Sequence, residues 1–242
     1  MLGYPDQASQ MSDQLDADTH RLGHPFDIGW ASTWGAYVFD YRCEPDRMLA
    51  RVREADRVGR EQSIPVFNKV LVPAGKGLAM LRKGQLPEAI SLLEQGIEGW
   101  QGTGGYLSLP YLKGALAEAL SLKGDVEAGF RLLGECLDQI ERLGWHERVW
   151  LAEILRLKGW MLMRQGLHAK AEAPLRESIE WARRQQARSW ELRSSTTLAR
   201  WCLEFGQRDE ARLLLMPIYA WFSEGFETYD LKAARALLEE IR

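Results

Sequence analysis

A short turn led by glycine recurs along the whole chain at near-constant spacing, and this repeat constrains the fold more than any other feature. Gly84-Gln-Leu-Pro-Glu-Ala89 returns as Gly124-Asp-Val-Glu-Ala128, as Gly166-Leu-His-Ala-Lys-Ala171 and as Gly206-Gln-Arg-Asp-Glu-Ala211. Upstream, Gly3-Tyr-Pro-Asp-Gln-Ala8 fits in full, and Cys43-Glu-Pro-Asp-Arg-Met48 fits with both small residues replaced. The anchors 3, 43, 84, 124, 166 and 206 set a period of 40 to 42 residues, and a fixed period of this size means stacked supersecondary units. The instance at 124 is one residue short to its first alanine, so either Ala128 or Gly129 stands opposite the small residue of the others.

Helical pattern lies on both sides of each anchor. Val70, Gly77, Met80 and Leu81 precede Gly84 at helical spacing, and Ala89, Leu93, Ile97 and Trp100 follow it. Leu132, Cys136 and Ile140 repeat the second pattern, as do Ala171, Leu175, Ile179 and Ala211, Leu215, Tyr219. The glycine ends a first helix, A, because only glycine enters the left-handed region without a Cβ penalty. Asp6, Asp46, Asp125 and Asp209, with Pro5, Pro45 and Pro87, suit the start of a second helix, B. Seven residues before the anchors sit Ala36, Gly77, Ala117, Gly159 and Ala199. Glycine inside a helix costs up to ~1 kcal/mol relative to alanine, so Gly77 and Gly159 imply close contact with the small residue of helix B twelve positions later. No strand pattern competes. The expected fold is all-α, a right-handed α-α superhelix of antiparallel hairpins forming one domain over 1–242, closed by a capping helix over 230–242 that Asp230 starts.

Charge and composition narrow the function. The 31 basic and 34 acidic residues are mixed along the length and give a net charge of −3, which offers no basic face for nucleic acid. No run of eighteen apolar residues predicts a membrane span, and the first ten residues lack the pattern of a signal peptide. Three widely spaced cysteines, Cys43, Cys136 and Cys202, match no disulfide or zinc pattern and point to a reducing cytoplasm. His20 and His24 are spaced like metal ligands, but Gly23 and Pro25 break the helix that would align them. No triad, metal cluster or phosphate loop emerges, so neither catalytic residues nor a cofactor are expected.

The small residue of helix A, the turn glycine seven later and the small residue of helix B twelve later together resemble the tetratricopeptide repeat, in the longer form of the maltose-regulon activator type. The closing stretch Pro217-Ile-Tyr-Ala-Trp-Phe-Ser-Glu-Gly-Phe-Glu-Thr-Tyr-Asp-Leu-Lys-Ala-Ala-Arg-Ala-Leu-Leu resembles the C-terminal end of bacterial multidomain class III adenylate/guanylate cyclases and related predicted ATPases. Leu109-Pro-Tyr-Leu, Glu153-Ile-Leu-Arg-Leu-Lys-Gly159 and Ala182-Arg-Arg-Gln-Gln-Ala-Arg-Ser-Trp-Glu-Leu-Arg193 extend the resemblance over essentially the whole chain. It implies cyclase or ATPase modules N-terminal to such a region, and the chain is expected to begin in mid-repeat.

Aligned on the turn glycine, the A helices show a core stripe (Val70, Ala152, Leu192; Gly77, Ala117, Gly159, Ala199; Met80, Leu120, Leu162, Cys202) and a mixed neighbouring stripe. By the same resemblance, the mixed stripe lines a concave groove. Trp30, Tyr37, Leu71 and Leu78 make one end apolar. Glu118, Glu153, Arg156, Arg193 and Arg200 dominate the other, with Tyr111 and Trp160 in the same stripe; tryptophan, tyrosine and arginine are the residue types that dominate binding hot spots. Two readings of these side chains stay open: they contact a protein or peptide ligand, or they pair with one another across neighbouring helices. The expected function is a protein-interaction or regulatory module, with other domains of a parent protein among its partners. A small-molecule receptor and a self-associating scaffold are the alternatives, the latter through an apolar face on the incomplete first repeat that can form a homodimer.

Overall fold

The computed structural model describes residues 1–105, 108–142 and 147–241. Twelve α-helices account for most of these residues, and among the described residues there are no strands. In chain order they are α1 (Pro5–Leu22), α2 (Pro25–Tyr41), α3 (Pro45–Glu61), α4 (Val72–Arg82), α5 (Leu86–Gly102), α6 (Leu109–Lys123), α7 (Val126–Glu141), α8 (Leu151–Arg164), α9 (His168–Arg184), α10 (Arg188–Glu204), α11 (Arg208–Trp221) and α12 (Tyr229–Ile241). Neighbouring helices pack pairwise, α2 on α3, α4 on α5, α8 on α9 and α10 on α11. This is the packing of an all-α fold of antiparallel helical hairpins.

The turns sit where the chain must reverse. All six repeat anchors, Gly3, Cys43, Gly84, Gly124, Gly166 and Gly206, have positive φ. Cys43, at φ 55°, takes a conformation uncommon for a residue with a side chain. A helix begins two residues beyond each anchor. That constant offset settles the register at 124: buried Gly129, not half-buried Ala128, holds the position of Ala89 and Ala171. The Asp125 carboxylate accepts from the backbone N–H of Ala128 at 3.1 Å, an N-cap of the expected kind. Asp230 differs. Thr228 stands at the cap position of α12, and Asp230, two residues further in, is turned to Arg193. Arg242 lies outside the described residues.

Close helix contact accounts for the two internal glycines. A Cβ on Gly77 would lie 2.8 Å from both Cγ and the backbone nitrogen of Leu93, and 3.2 Å from the Ala89 carbonyl. On Gly159 it would lie 2.5 Å from Leu175 Cγ and 3.1 Å from the Ala171 carbonyl. Ala36, Ala117 and Ala199, their equivalents, are buried. Before α4 the helix opens into a π turn, Phe67–Leu71. Pro73 has no N–H to return to the Lys69 carbonyl, which favours such a widened turn.

The chain divides into two compact units, Asp6–Leu132 and Met1–Pro5 with Leu133–Arg242. The core of the first contains Phe39, Met48, Phe67, Leu78, Leu93 and Leu112, each nearly inaccessible. The second is centred on Leu175, Leu192, Leu198, Cys202, Leu215 and Ala234.

Candidate functional site

In the first unit, three successive A helices converge on one carboxylate. Asp40 of α2 is fully buried. Its Oδ1 accepts from Arg82 Nε of α4 at 2.9 Å, and its Oδ2 accepts from the Tyr111 hydroxyl of α6. Arg82 also donates through Nη1 to Glu118 at 3.3 Å. Burial opposes the charge on Arg82, but Asp40 and then Glu118 overcome it and raise the guanidinium well above its ordinary pKa. Burial, followed by the Asp40 charge, pushes the phenols of Tyr111 and Tyr37 up as well. Both stay protonated near neutrality, so this cluster fixes helices in place and offers no phenolate.

Beside the cluster, α2 carries a row of rings. Phe26 and Trp30 lie 6.0 Å apart between centroids, Trp30 and Trp34 are stacked at 6.2 Å, and Trp34 and Tyr37 lie 5.7 Å apart. Phe67 meets Trp30 edge-on at 5.8 Å. Spacing of three and four residues puts these side chains on one helical face. Phe26 and Trp34 remain 53% and 42% exposed, whereas Leu71 and Leu78, expected in the same groove, are core residues.

The second unit contains a separate charged network. Arg156 grips Glu153 with two donors, Nε and Nη2, each at 2.8 Å. Arg193 reaches Glu153 at 3.4 Å and holds Asp230 with Nε at 3.0 Å and Nη2 at 2.7 Å. Glu153 and Arg193 each stand thirteen residues before the turn glycine of their own hairpin, so the repeat places them side by side on α8 and α10. Glu153 and Arg156 are buried. Trp160 is half-buried beneath the Arg164 guanidinium, 5.2 Å from its ring centre, and Arg200 is exposed.

Of the residues expected to line a groove, Tyr111, Glu118, Glu153, Arg156 and Arg193 are thus engaged in pairs across or along the helices. Trp30, Trp160 and Arg200 present surface. Sequence reading missed Asp40, Arg82, Asp230, Phe26 and Trp34. One signal was available: Asp40 interrupts the otherwise apolar Tyr37-Val-Phe-Asp-Tyr41, and Arg82 interrupts Met80-Leu-Arg 42 residues later. A lone acid and a lone base one repeat apart on core-facing helices are candidates for a buried pair.

Cys136, Cys202 and the described histidines sit among structural contacts. Cys136 and Cys202 are fully buried, and burial pushes the Cys202 thiol up to about 11. His20 bonds Glu54, His24 precedes α2, and His168 lies against the Phe205 ring; His146 lies outside the described residues. Among the described residues no group of histidine, cysteine and acidic side chains is placed to hold a metal ion, and no helix is long and apolar enough to cross a membrane. No family model matches the chain, and no curated protein is recognisably similar to it.

Proposed function

We propose that this chain is a non-catalytic interaction module that holds a peptide or helix of a partner protein against the aromatic row of α2. The observation that supports it is the exposure of Phe26 and Trp34 on either side of Trp30, on a helix anchored by the buried Asp40–Arg82–Tyr111 contacts. Tryptophan is the residue type most enriched at interface hot spots, and a platform already rigid loses little entropy on binding. On this reading Tyr37, Tyr111 and Glu118 position the platform. Glu153, Arg156 and Arg193 do the same for α8 and α10, where Trp160 and Arg200 offer a second contact surface. The resemblance to cyclases and ATPases makes the partner another module of a cytoplasmic signalling protein.

Selection of binders from a displayed library of amphipathic helices, followed by calorimetry, tests this reading. Trp34→Ala and Trp30→Ala should each weaken the selected ligand by roughly tenfold or more, the effect of losing a hot spot of about 1.4 kcal/mol or above. Ligands that bind both variants as tightly as the wild type would place the site elsewhere.

A further inference from the structure

The stripe shared by α8 and α10 is built from guanidinium–carboxylate contacts. Arg156 grips Glu153 within α8. Arg193 of α10 reaches the same acid at 3.4 Å and holds Asp230 of α12 at 2.7 Å. Two further arginines, at the C-terminal ends of the same two helices, differ. Arg164 and Arg200 are exposed, and among the described residues neither is in an ion pair.

The repeat brings these side chains together. The Glu153–Arg193 contact fixes the register of α8 against α10. Trp160 and Arg200 each stand seven residues further on, about two helical turns, so they are neighbours on the same face. Arg164 lies over the Trp160 ring, 5.2 Å from its centre, a contact that steadies the guanidinium while the side chain stays exposed. Glu204 repeats the position of Arg164 one hairpin later, but it lies beside His168, 3.9 Å away. On its two sides α10 packs against α8 and α12, so this end of the stripe is bounded by helices of the chain itself.

We infer that Trp160, Arg164 and Arg200 form a docking ledge for an acidic helix of a partner protein, whose side-chain carboxylates do there what Glu153 and Asp230 do further along the stripe. Charge complementarity carries the assignment. Arg156 and Arg193 each grip an acid of the chain, whereas the two guanidiniums of the ledge meet none. Arginine presents paired donors that match a carboxylate, and Trp160 adds an aromatic contact beside them. Glutamates at i and i+4 project from one face of a helix, a pairing that suits two arginines on adjacent helices. The inference rests on the reading of the chain as an interaction module and names the partner chemistry of its second surface.

Fluorescence anisotropy of the full chain with a labelled alanine-based helix tests the ledge. The probe carries glutamates at i and i+4 beside a leucine, and its control carries glutamines in their place. At low salt the glutamate helix should bind roughly tenfold or more tightly than the control, and added salt should weaken it. Arg164→Gln and Arg200→Gln should each cost about fivefold. Arg212→Gln, at an exposed arginine of α11, and Trp34→Ala should leave the affinity unchanged. Circular dichroism checks that every variant is folded. Equal binding of the two helices, no binding up to about 1 mM, or the same loss at Arg212 as at Arg164 and Arg200 overturns the assignment. A loss confined to Trp34→Ala moves the acidic helix to α2: the ledge then falls while the aromatic platform stands.

Discussion

Arg82 of α4 donates its Nε to Asp40 of α2 at 2.9 Å, across a separation of one full repeat, with the acid fully out of solvent. Removing one partner of a buried pair leaves the other charge uncompensated, at about 3–5 kcal/mol. Asp40→Ala should fall near the lower end of that range, because Glu118 still reaches Arg82. The double change Asp40→Ala/Arg82→Met should recover part of the loss, since an apolar pair removes the stranded charge. Urea denaturation measures both. A loss under about 1 kcal/mol for Asp40→Ala would mean that the pair behaves like a surface one.

The glycines make opposite predictions according to what surrounds them. Gly77→Ala places a methyl 2.8 Å from the Leu93 backbone nitrogen, which cannot yield as a side-chain tip can. Overpacking of about 1–3 kcal/mol should exceed the propensity gain of up to ~1 kcal/mol, so the variant should melt lower. Gly134, inside α7, has nothing within 4 Å of an added Cβ, and Gly134→Ala should stabilise by about 0.5–1 kcal/mol. Equal effects at the two sites would contradict the close-packing explanation.

Cys43 holds a left-handed turn position, φ 55°, that glycine fills at the other five anchors. A left-handed residue with a Cβ is strained by roughly 1–2 kcal/mol. Cys43→Gly should raise stability by about 1 kcal/mol, the remainder being offset by greater freedom of the unfolded chain. Cys43→Ala, which keeps the Cβ, should not show that gain in the same denaturation series.

His20 links α1 to α3 in a way that requires both ring protons. Nδ1 lies 2.8 Å from the Asp16 carbonyl oxygen and Nε2 lies 3.0 Å from Glu54 Oε1, and both are acceptors. The carbonyl first, then the Glu54 carboxylate, raise the imidazolium above its ordinary pKa. A raised folded pKa means that the contribution is complete below the unfolded value of about 6.5. It is then lost as pH climbs through the folded value. The ring is 42% exposed, so the effect is small and screened by salt. Calorimetric melts at low ionic strength should show a midpoint that declines on crossing that window, and His20→Asn should flatten the decline.

Local rules made the hairpins legible. The anchors at 3, 84, 124, 166 and 206 are read from glycine's access to positive φ, and Cys43 is found by spacing alone. Gly77 and Gly159 announce their close contacts because a helix has no other reason to hold glycine there. The mixed stripe was less legible. Leu71 and Leu78 belong to the same aligned stripe as the surface residue Trp30, yet they are buried in the core, Leu71 in the π turn and Leu78 in α4. Periodicity gives direction around a helix but not the presence of a neighbour. Asp230 illustrates the same limit: its place in the first turn of α12 looks like capping, and Arg193, 37 residues away, claims its carboxylate instead.

The amino-acid sequence by itself determined the all-α hairpin architecture, the period and the positions of the turns, since each depends on φ preference and spacing within a few residues. Tertiary structure alone decided which polar side chains became buried partners and which rings stayed at the surface. Asp40, Arg82 and Tyr111 meet only after three hairpins have stacked, and the acids of α1 reach Arg42 and Arg51 only once α1 lies against the end of α2 and against α3. Burial and ion pairing are properties of assembled helices, and no single segment encodes them.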